Sequence, residues 1–317
     1  MQIVFLDQST VTLDDDMDFS GLRSLGKLVC YPNSTRAEAV ERARDARTVI
    51  VNKVPIDREV IGSLPALEHV AVIATGYNNI DLAAASGAGI RVTNVRGYAE
   101  KTVSQHTFAL ILNLATRAHQ YDRDIRAGRW QESPSFTLLT YPTFELSGKT
   151  LGIIGYGTIG RAVAKIARAF GMRVMVHDVA QPDDKGIKNN SLEEVLCCAD
   201  IISLHCPLTD ENRRLINRET LGLMKPGAIL INTARGGLVD EDALAEALNS
   251  GRIAGAGLDT LAEEPPGDSP LLGEVRNLIL TPHSAWSARE ARQRLIDEVA
   301  ENIRAFLEGR ERNVVTG

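Results

Sequence analysis

Residues 149–178 read KTLGIIGYGTIGRAVAKIARAFGMRVMVHD, and this stretch decides the fold. Thr150 to Ile154 is a short apolar run with the length and composition of a buried strand. Gly155, Gly157 and Gly160 follow in the order G-x-G-x-x-G. Ile159, Val163, Ile166 and Phe170 then recur at steps of four, three and four, the spacing of one helix face. Gly171 is placed to end that helix. A second apolar run, Met172 to Val176, leads to Asp178, 18 residues past Gly160. The unit is strand, turn, helix, strand, with an acid at its end.

Each part has a physical use. Gly155 permits the tight turn, Gly157 lets the backbone approach a pyrophosphate, and Gly160 lets helix and strand pack closely. The N–H groups of the first helical turn then face the phosphates, and Asp178 is placed to accept hydrogen bonds from ribose hydroxyls. Glycines in this order also serve ordinary turns. What favours dinucleotide binding is that strand, helix and acid all stand where the motif needs them.

Outward from this unit the alternation continues. Towards the C-terminus, strands are predicted at Ile201–His205, Ala228–Asn232, Ile253–Leu258 and Leu278–Thr281, with helices at Glu193–Cys198, Glu219–Met224 and Asp242–Asn249. Six parallel strands in all fit a doubly wound dinucleotide fold. Towards the N-terminus, strands at Ile3–Leu6, Thr48–Val51, His69–Ile73 and Ile90–Thr93 alternate with helices at Arg36–Ala46, Arg58–Leu64 and Leu82–Ser86, which implies a second parallel sheet. Just past those strand ends stand Asn52, Lys53, Thr75, Gly76 and Asn94, as turn residues or as one edge of a substrate site.

Lys101 to Ala118 reads as a helix that is apolar almost all round through Phe108–Leu114, suited to a buried connector. Arg117 to Leu146 shows no sustained period, yet holds Trp130, Phe136, Leu138, Leu139, Tyr141 and Phe144. Loops of that length are uncommon inside a compact domain, and its apolar residues need cover. An arm packed on a second subunit is expected; the alternative is a lid or interdomain wrap. The last helix, Ser287–Leu307, is long enough to return to the first domain and make it discontinuous.

The 317 residues suit two domains, and 44% hydrophobic content allows a core in each. The net charge of -6 is interspersed, which argues against a nucleic-acid surface. No apolar run approaches the ~18 residues of a membrane span. Met1 leads straight into a predicted strand, so no signal peptide is expected. Cys30, Cys197, Cys198 and Cys206 show no paired metal or redox spacing. Reduced thiols, no metal and a cytoplasmic location are the expectation.

Three strand ends of the second domain are dense in polar groups: Asn232-Thr233-Ala234-Arg235-Gly236-Gly237, Asp259 to Pro265, and Pro282-His283-Ser284-Ala285-Trp286. Hydride transfer to a carbonyl needs a charge to hold the substrate, a proton donor near neutral pH and a group to orient that donor. Arg, His and Glu supply these roles.

At these residues the chain resembles the D-isomer-specific 2-hydroxyacid dehydrogenase family over essentially its whole length. The matching segments are Gly152–Gly160, His205-Cys206-Pro207-Leu208-Thr209, Lys225-Pro226-Gly227, Asn232–Gly237, Gly257-Leu258-Asp259, Glu264-Pro265 and Thr281-Pro282-His283. The resemblance implies two doubly wound α/β domains, a Rossmann NAD domain at 101–286 inserted into a flavodoxin-like substrate domain at 1–100 and 287–317. It also implies an active site in the cleft, a homodimer and a dimerisation arm at about 117–146.

It further implies Arg235, Glu264 and His283 as the catalytic set. The cofactor contacts implied are Gly155, Gly157, Thr158, Ile159, Gly160, Asp178, His205, Cys206, Pro207, Thr209, Thr233, Ala234, Arg235, Asp259, His283 and Ala285. The substrate contacts implied are Lys53, Thr75, Gly76, Arg235, His283 and Trp286. The other histidines, His69, His106, His119, His177 and His205, have no comparable catalytic setting.

The stretches 94–108 and 282–292 most resemble hydroxypyruvate or glyoxylate reductases, also called glycerate dehydrogenases, so a small D-2-hydroxy or 2-oxo acid is the expected substrate. Phosphoglycerate dehydrogenase activity is an alternative, disfavoured by the lack of a C-terminal regulatory domain. A dinucleotide-sensing corepressor-like scaffold is another, disfavoured by the lack of long tails. NAD is expected over NADP because Asp178 would face a 2′-phosphate, Val179, Ala180 and Gln181 bring no cation, and Lys185 and Lys188 lie farther on.

Overall fold

The computed structural model describes residues 1–184 and 186–316. It divides into two compact units, Met1–Ala99 together with the chain from Ser287 on, and Glu100–Trp286.

In the first unit β1 (Gln2–Phe5), β2 (Lys27–Cys30), β3 (Thr48–Val51), β4 (His69–Val72) and β5 (Arg91–Thr93) form one sheet in the order β2-β1-β3-β4-β5. Every pairing is parallel, the flavodoxin-like order. The helices α1 (Ser20–Arg23), α2 (Arg36–Ala43), α3 (Arg58–Gly62) and α4 (Leu82–Gly87) follow successive strands. The last three start where a side chain satisfies first-turn amides: Thr35, Asp57 and Asp81 each accept from backbone N–H groups. The central strands β3 and β4 are buried along their length. The C-terminal helix, Arg289–Leu307, packs on this unit with Ala291, Leu295, Val299 and Ile303 on its buried face. Phe306 at its end stacks on His69 at 4.5 Å.

In the second unit β6 (Thr150–Ile154), β7 (Arg173–His177), β8 (Ile201–Leu204), β9 (Ile229–Asn232), β10 (Gly255–Leu258) and β11 (Leu278–Leu280) form a sheet in the order β11-β10-β9-β8-β6-β7. All are parallel. A single parallel bridge, Val176 to Asn189, extends the sheet beyond β7 by one residue. The chain reverses its direction of travel across the sheet between β6 and β8, and ligands of such sheets bind at the carboxyl ends of the strands flanking that point.

The helices of this unit are α5 (Glu100–Thr116), α6 (Ala118–Arg126), α7 (Thr158–Ala169), α8 (Leu192–Cys198), α9 (Arg218–Leu223) and α10 (Glu241–Asn249). The buried stripe of α7 is Gly160, Val163, Ala164 and Ala167, rotated from the Ile159–Val163–Ile166–Phe170 stripe expected above. Small residues face the sheet and let the helix lie close to it. The larger Phe170 turns sideways and stacks on Phe108 of α5 at 5.4 Å. Gly171, at φ +71°, ends α7 with the paired bonds Gly171 N–H to Arg168 O and Met172 N–H to Ala167 O.

The segment read above as aperiodic from Arg117 onward contains α6. Its nine residues, AHQYDRDIR, are mostly charged or polar, so the three apolar ones, Ala118, Tyr121 and Ile125, are too few to stand out. After α6 the chain is folded on itself by Trp130 Nε1–H donating to Phe136 O at 3.1 Å and by Tyr121 against Tyr141 at 5.1 Å.

Candidate active site

The glycine turn after β6 is fixed by its neighbours. Gly155 has φ +95°, and a Cβ there would come within 2.5 Å of the Cys206 nitrogen. A Cβ on Gly160 would stand 2.3 Å from the Gly155 carbonyl oxygen. Gly157 differs, since a Cβ there would project into open space. Gly157 is also the N-cap of α7, and no side chain caps the helix. The first-turn amides, in Thr158, Ile159 and Gly160, therefore lack a side-chain acceptor beside an open approach, an arrangement that fits the pyrophosphate of a dinucleotide.

Asp178, half-buried past the end of β7, accepts from the Tyr156 amide at 2.5 Å through Oδ2 and from the Ala180 amide at 3.1 Å through Oδ1. Each oxygen retains a second lone pair for a ribose hydroxyl. Among the cations noted in the sequence, Lys188 stands 3.8 Å from Glu194, and Lys185 lies outside the described residues. Next to the turn, Arg161 pairs with Asp184 at 2.7 Å, and Asp184 accepts from the Tyr156 hydroxyl at 2.8 Å.

On the other side of the turn, His205 follows β8, and burial pushes its imidazole down to about 3, so it is neutral, with Nε2 2.8 Å from the Ser203 hydroxyl. Burial likewise raises the Cys206 thiol. Pro207 O accepts from the Asn212 amide at 2.7 Å, and Asn212 Oδ1 accepts from the Thr209 N–H at 2.7 Å. These bonds brace the 205–209 loop internally, and His205 N–H, donating to Ile154 O at 2.7 Å, ties it to the end of β6 beside the glycine turn.

Arg235, Glu264 and His283 line one cavity of about 170 Å³ at the carboxyl ends of β9, β10 and β11. Arg235 is exposed. Its turn is held by Asn232, whose Nδ2 donates to Arg235 O at 2.8 Å and whose Oδ1 accepts from Ala234 N–H at 3.0 Å. Thr233, in the same turn, shares a hydroxyl contact of 3.1 Å with Thr107. Gly236 sits against the loop that carries Glu264. A Cβ on it would lie 1.9 Å from the Leu261 carbonyl carbon and 2.4 Å from the Ala262 nitrogen, so these loops touch backbone to backbone.

His283 Nδ1 is 2.6 Å from Glu264 Oε2, with both side chains 35% exposed. Glu264 Oε1 accepts from the Leu261 amide at 3.1 Å. The imidazole is thus oriented through one nitrogen, and Nε2 is the atom left to meet a substrate. His283 has φ +50°, a left-handed conformation that persists when its surroundings over-determine it. They do so here through buried Asp259: its main-chain oxygen accepts from His283 N–H at 2.8 Å. Its carboxylate accepts from Thr281 Oγ1–H at 2.6 Å, Ser284 N–H at 2.9 Å and Ala285 N–H at 2.9 Å. Trp286, next along, is half-buried.

Two residues that brace candidate loops, one in each unit, had no sequence signal. His106 Nε2 lies 2.9 Å from Thr281 Oγ1 and 3.5 Å from Asp259 Oδ1. Because the Thr281 hydroxyl donates to Asp259, His106 donates to it through Nε2–H. In the first unit, buried Asp7 accepts from the amides of Asn52, Lys53 and Val54, the Lys53 bond being 2.6 Å. It fixes the loop after β3 and leaves the exposed Lys53 side chain projecting. Thr75 and Gly76 lie past β4, where Asn94 Nδ2 donates to Thr75 O at 2.8 Å. Asn52 and Asn94 serve the loops themselves, Asn52 Nδ2 donating to Thr10 Oγ1 at 3.0 Å.

Residues 108–285 match the family model described as D-isomer specific 2-hydroxyacid dehydrogenase, NAD binding domain. Over 322 aligned residues the chain is 40% identical to a hydroxypyruvate reductase of Blautia hydrogenotrophica, covering 99% of each. It is 45% identical over 283 residues to a glycerate dehydrogenase of Methylorubrum extorquens, covering 89% of each. A solved structure of a D-lactate dehydrogenase from Aquifex aeolicus, complexed with NAD and lactic acid, superposes with a TM-score of 0.84 at 32% identity over 99% of both chains.

Proposed function

Because the chain belongs to the D-isomer specific 2-hydroxyacid dehydrogenase family, we propose that it reduces hydroxypyruvate or glyoxylate with NADH and oxidises the matching 2-hydroxy acid in reverse. It is an oxidoreductase of CH–OH donors and uses NAD(H). The observation that carries the substrate-side reading is the Glu264–His283 pair in one cavity with Arg235.

Bound NADH supplies the hydride. Arg235, permanently charged and forked, grips the substrate carboxylate and polarises the 2-oxo oxygen. His283 Nε2–H gives its proton to that oxygen as it becomes a hydroxyl, and takes it back during oxidation. Glu264 holds Nδ1 and stabilises the imidazolium. Asp259 keeps the 281–285 loop, and with it His283, in place. Lys53 and the Thr75–Gly76 turn are proposed as further contacts of the substrate carboxylate. The test is NADH oxidation across glyoxylate, hydroxypyruvate, pyruvate, 2-oxoglutarate and 3-phosphohydroxypyruvate. One of the first two should give the highest kcat/KM, and a clear preference for the phosphorylated acid would overturn the proposal.

NADH should be favoured over NADPH. Two like charges at ~4 Å repel by about 1 kcal/mol in water and about 4 kcal/mol at an effective dielectric of 20, so Asp178 should lower kcat/KM with NADPH by about fivefold to several hundredfold. Equal efficiency with both cofactors would refute this reading.

The homodimer belongs to the same proposal. Phe136 and Leu139 are 90% and 87% exposed, and Trp130 is 48% exposed. Covering one large apolar side chain contributes ~1.5–3 kcal/mol. Sedimentation at micromolar concentration is expected to give about 69 kDa, twice the chain's 34.4 kDa. A species of single-chain mass would remove the arm from the argument. A cytoplasmic location is proposed too, supported by the unpaired thiols of Cys30, Cys197, Cys198 and Cys206. No helix among the described residues is long and apolar enough to cross a membrane.

A further inference from the structure

We propose that the second unit holds a second anion site, at the end of its sheet opposite to that of His283, where Arg117, Gln120 and Arg123 take a carboxylate- or phosphate-class oxyanion. The cavity has a volume of about 240 Å³, against about 170 Å³ for the one beside His283. Its walls are the end of α5, the first turns of α6 and the residues leading into β11, among them Asn277. It therefore opens at the amino ends of the strands, not at the carboxyl ends that carry the active site.

Arg117 is the central observation. It is 4% exposed, and burial lowers its guanidinium pKa. Its neutral partner is Asn277, whose Oδ1 accepts from Nη1 at 3.1 Å, while Nε, also buried, has no partner. Among the described residues no acidic side chain pairs with Arg117 or with Arg123. The acids of α6 are engaged elsewhere, Asp122 with Arg126 at 2.8 Å and Asp124 with Arg129 at 3.1 Å. A buried cation without a counter-charge is strongly disfavoured, and a neutral amide only partly compensates it.

Other features have the same sign. Arg117 is the N-cap of α6, so the positive end of the helix dipole lies at the cavity. Arg123 and His119 also line it, and the charges of Arg117 and Arg123 lower the pKa of His119 after burial itself. Gln120 adds a buried amide oxygen without a partner. A half-turn of that amide would present its N–H₂ group as a donor instead.

The oxyanion has two possible sources, a free anion or a carboxylate of a second copy, since α6 opens the arm proposed to pair subunits. Calorimetric titration of inorganic phosphate, and separately of citrate, into NADH-saturated protein distinguishes them, because NADH occupies the amides at α7. A free-anion site predicts saturable binding that is about ten- to a hundredfold weaker in Arg123→Gln, the loss of one charge-assisted hydrogen bond. A partner carboxylate predicts no titration in the parent protein but dimer association weakened by a similar factor in Arg123→Gln, read by sedimentation. Arg123 is exposed, so the variant should fold, and its turnover of 2-oxo acid should be unchanged. His119→Gln provides a second charge-neutral variant. If neither anion binds and association is unaltered, or if parent and variants bind alike, the site does not exist; neither result bears on the reductase reading.

Discussion

Replacing His283 with alanine is expected to lower 2-oxo acid reduction by about 10² to 10⁴-fold, with NADH affinity nearly unchanged. The imidazole is the group proposed to move a proton to the substrate oxygen, while the proposed cofactor contacts at the glycine turn and Asp178 belong to other strand ends. Reduction takes up a proton and oxidation releases one, so the balance of the two rates should shift toward oxidation as pH rises. Glu264→Gln keeps a hydrogen bond to Nδ1 but removes the negative charge 2.6 Å away. Oxidation of the 2-hydroxy acid, in which the ring gains a proton beside that position, should therefore slow in this variant. Unaltered oxidation in Glu264→Gln, or near-normal turnover in His283→Ala at saturating substrate, would show that the dyad is misassigned.

Gly236→Ala should be nearly as damaging, although it removes no functional group. The added carbon meets main-chain atoms of Leu261 and Ala262 at 1.9–2.4 Å. Neither is a side chain that can turn aside, so the loop carrying Arg235 and the loop carrying Glu264 must separate. A displacement of ~1 Å at reacting groups can lower turnover by about 10²-fold. The expected signature is a loss in kcat with far-ultraviolet circular dichroism unchanged and NADH still bound. Wild-type kinetics in this variant would mean that the contact between the two loops is not needed for catalysis.

The elements easiest to read in the sequence were those whose chemistry is local. The G-x-G-x-x-G turn, its flanking strands and the acid after β7 announce themselves within thirty residues. β2 was missed because Lys27–Cys30 is a half-buried edge strand of four residues, too short and too mixed to show alternation. The polar composition of α6 hid its period. His106 and Thr281 meet across 175 residues, and Asp7 meets Lys53 across 46, so no linear pattern could join them. Gly236 sits in a matching segment, but only the packed backbone shows what its missing side chain allows.

Asp178 complicates any redesign of cofactor choice. Exchanging it for a small neutral residue, to admit a phosphorylated ribose, would also remove the acceptor of the Tyr156 amide, one residue beyond the glycine with φ +95°. A buried N–H left without a partner costs about 1–3 kcal/mol, and the disturbance would fall on the turn proposed to hold the pyrophosphate. Recoding the pocket therefore means supplying a new acceptor for that amide along with a new cation, and a single exchange at 178 would weaken the old specificity without creating the new one.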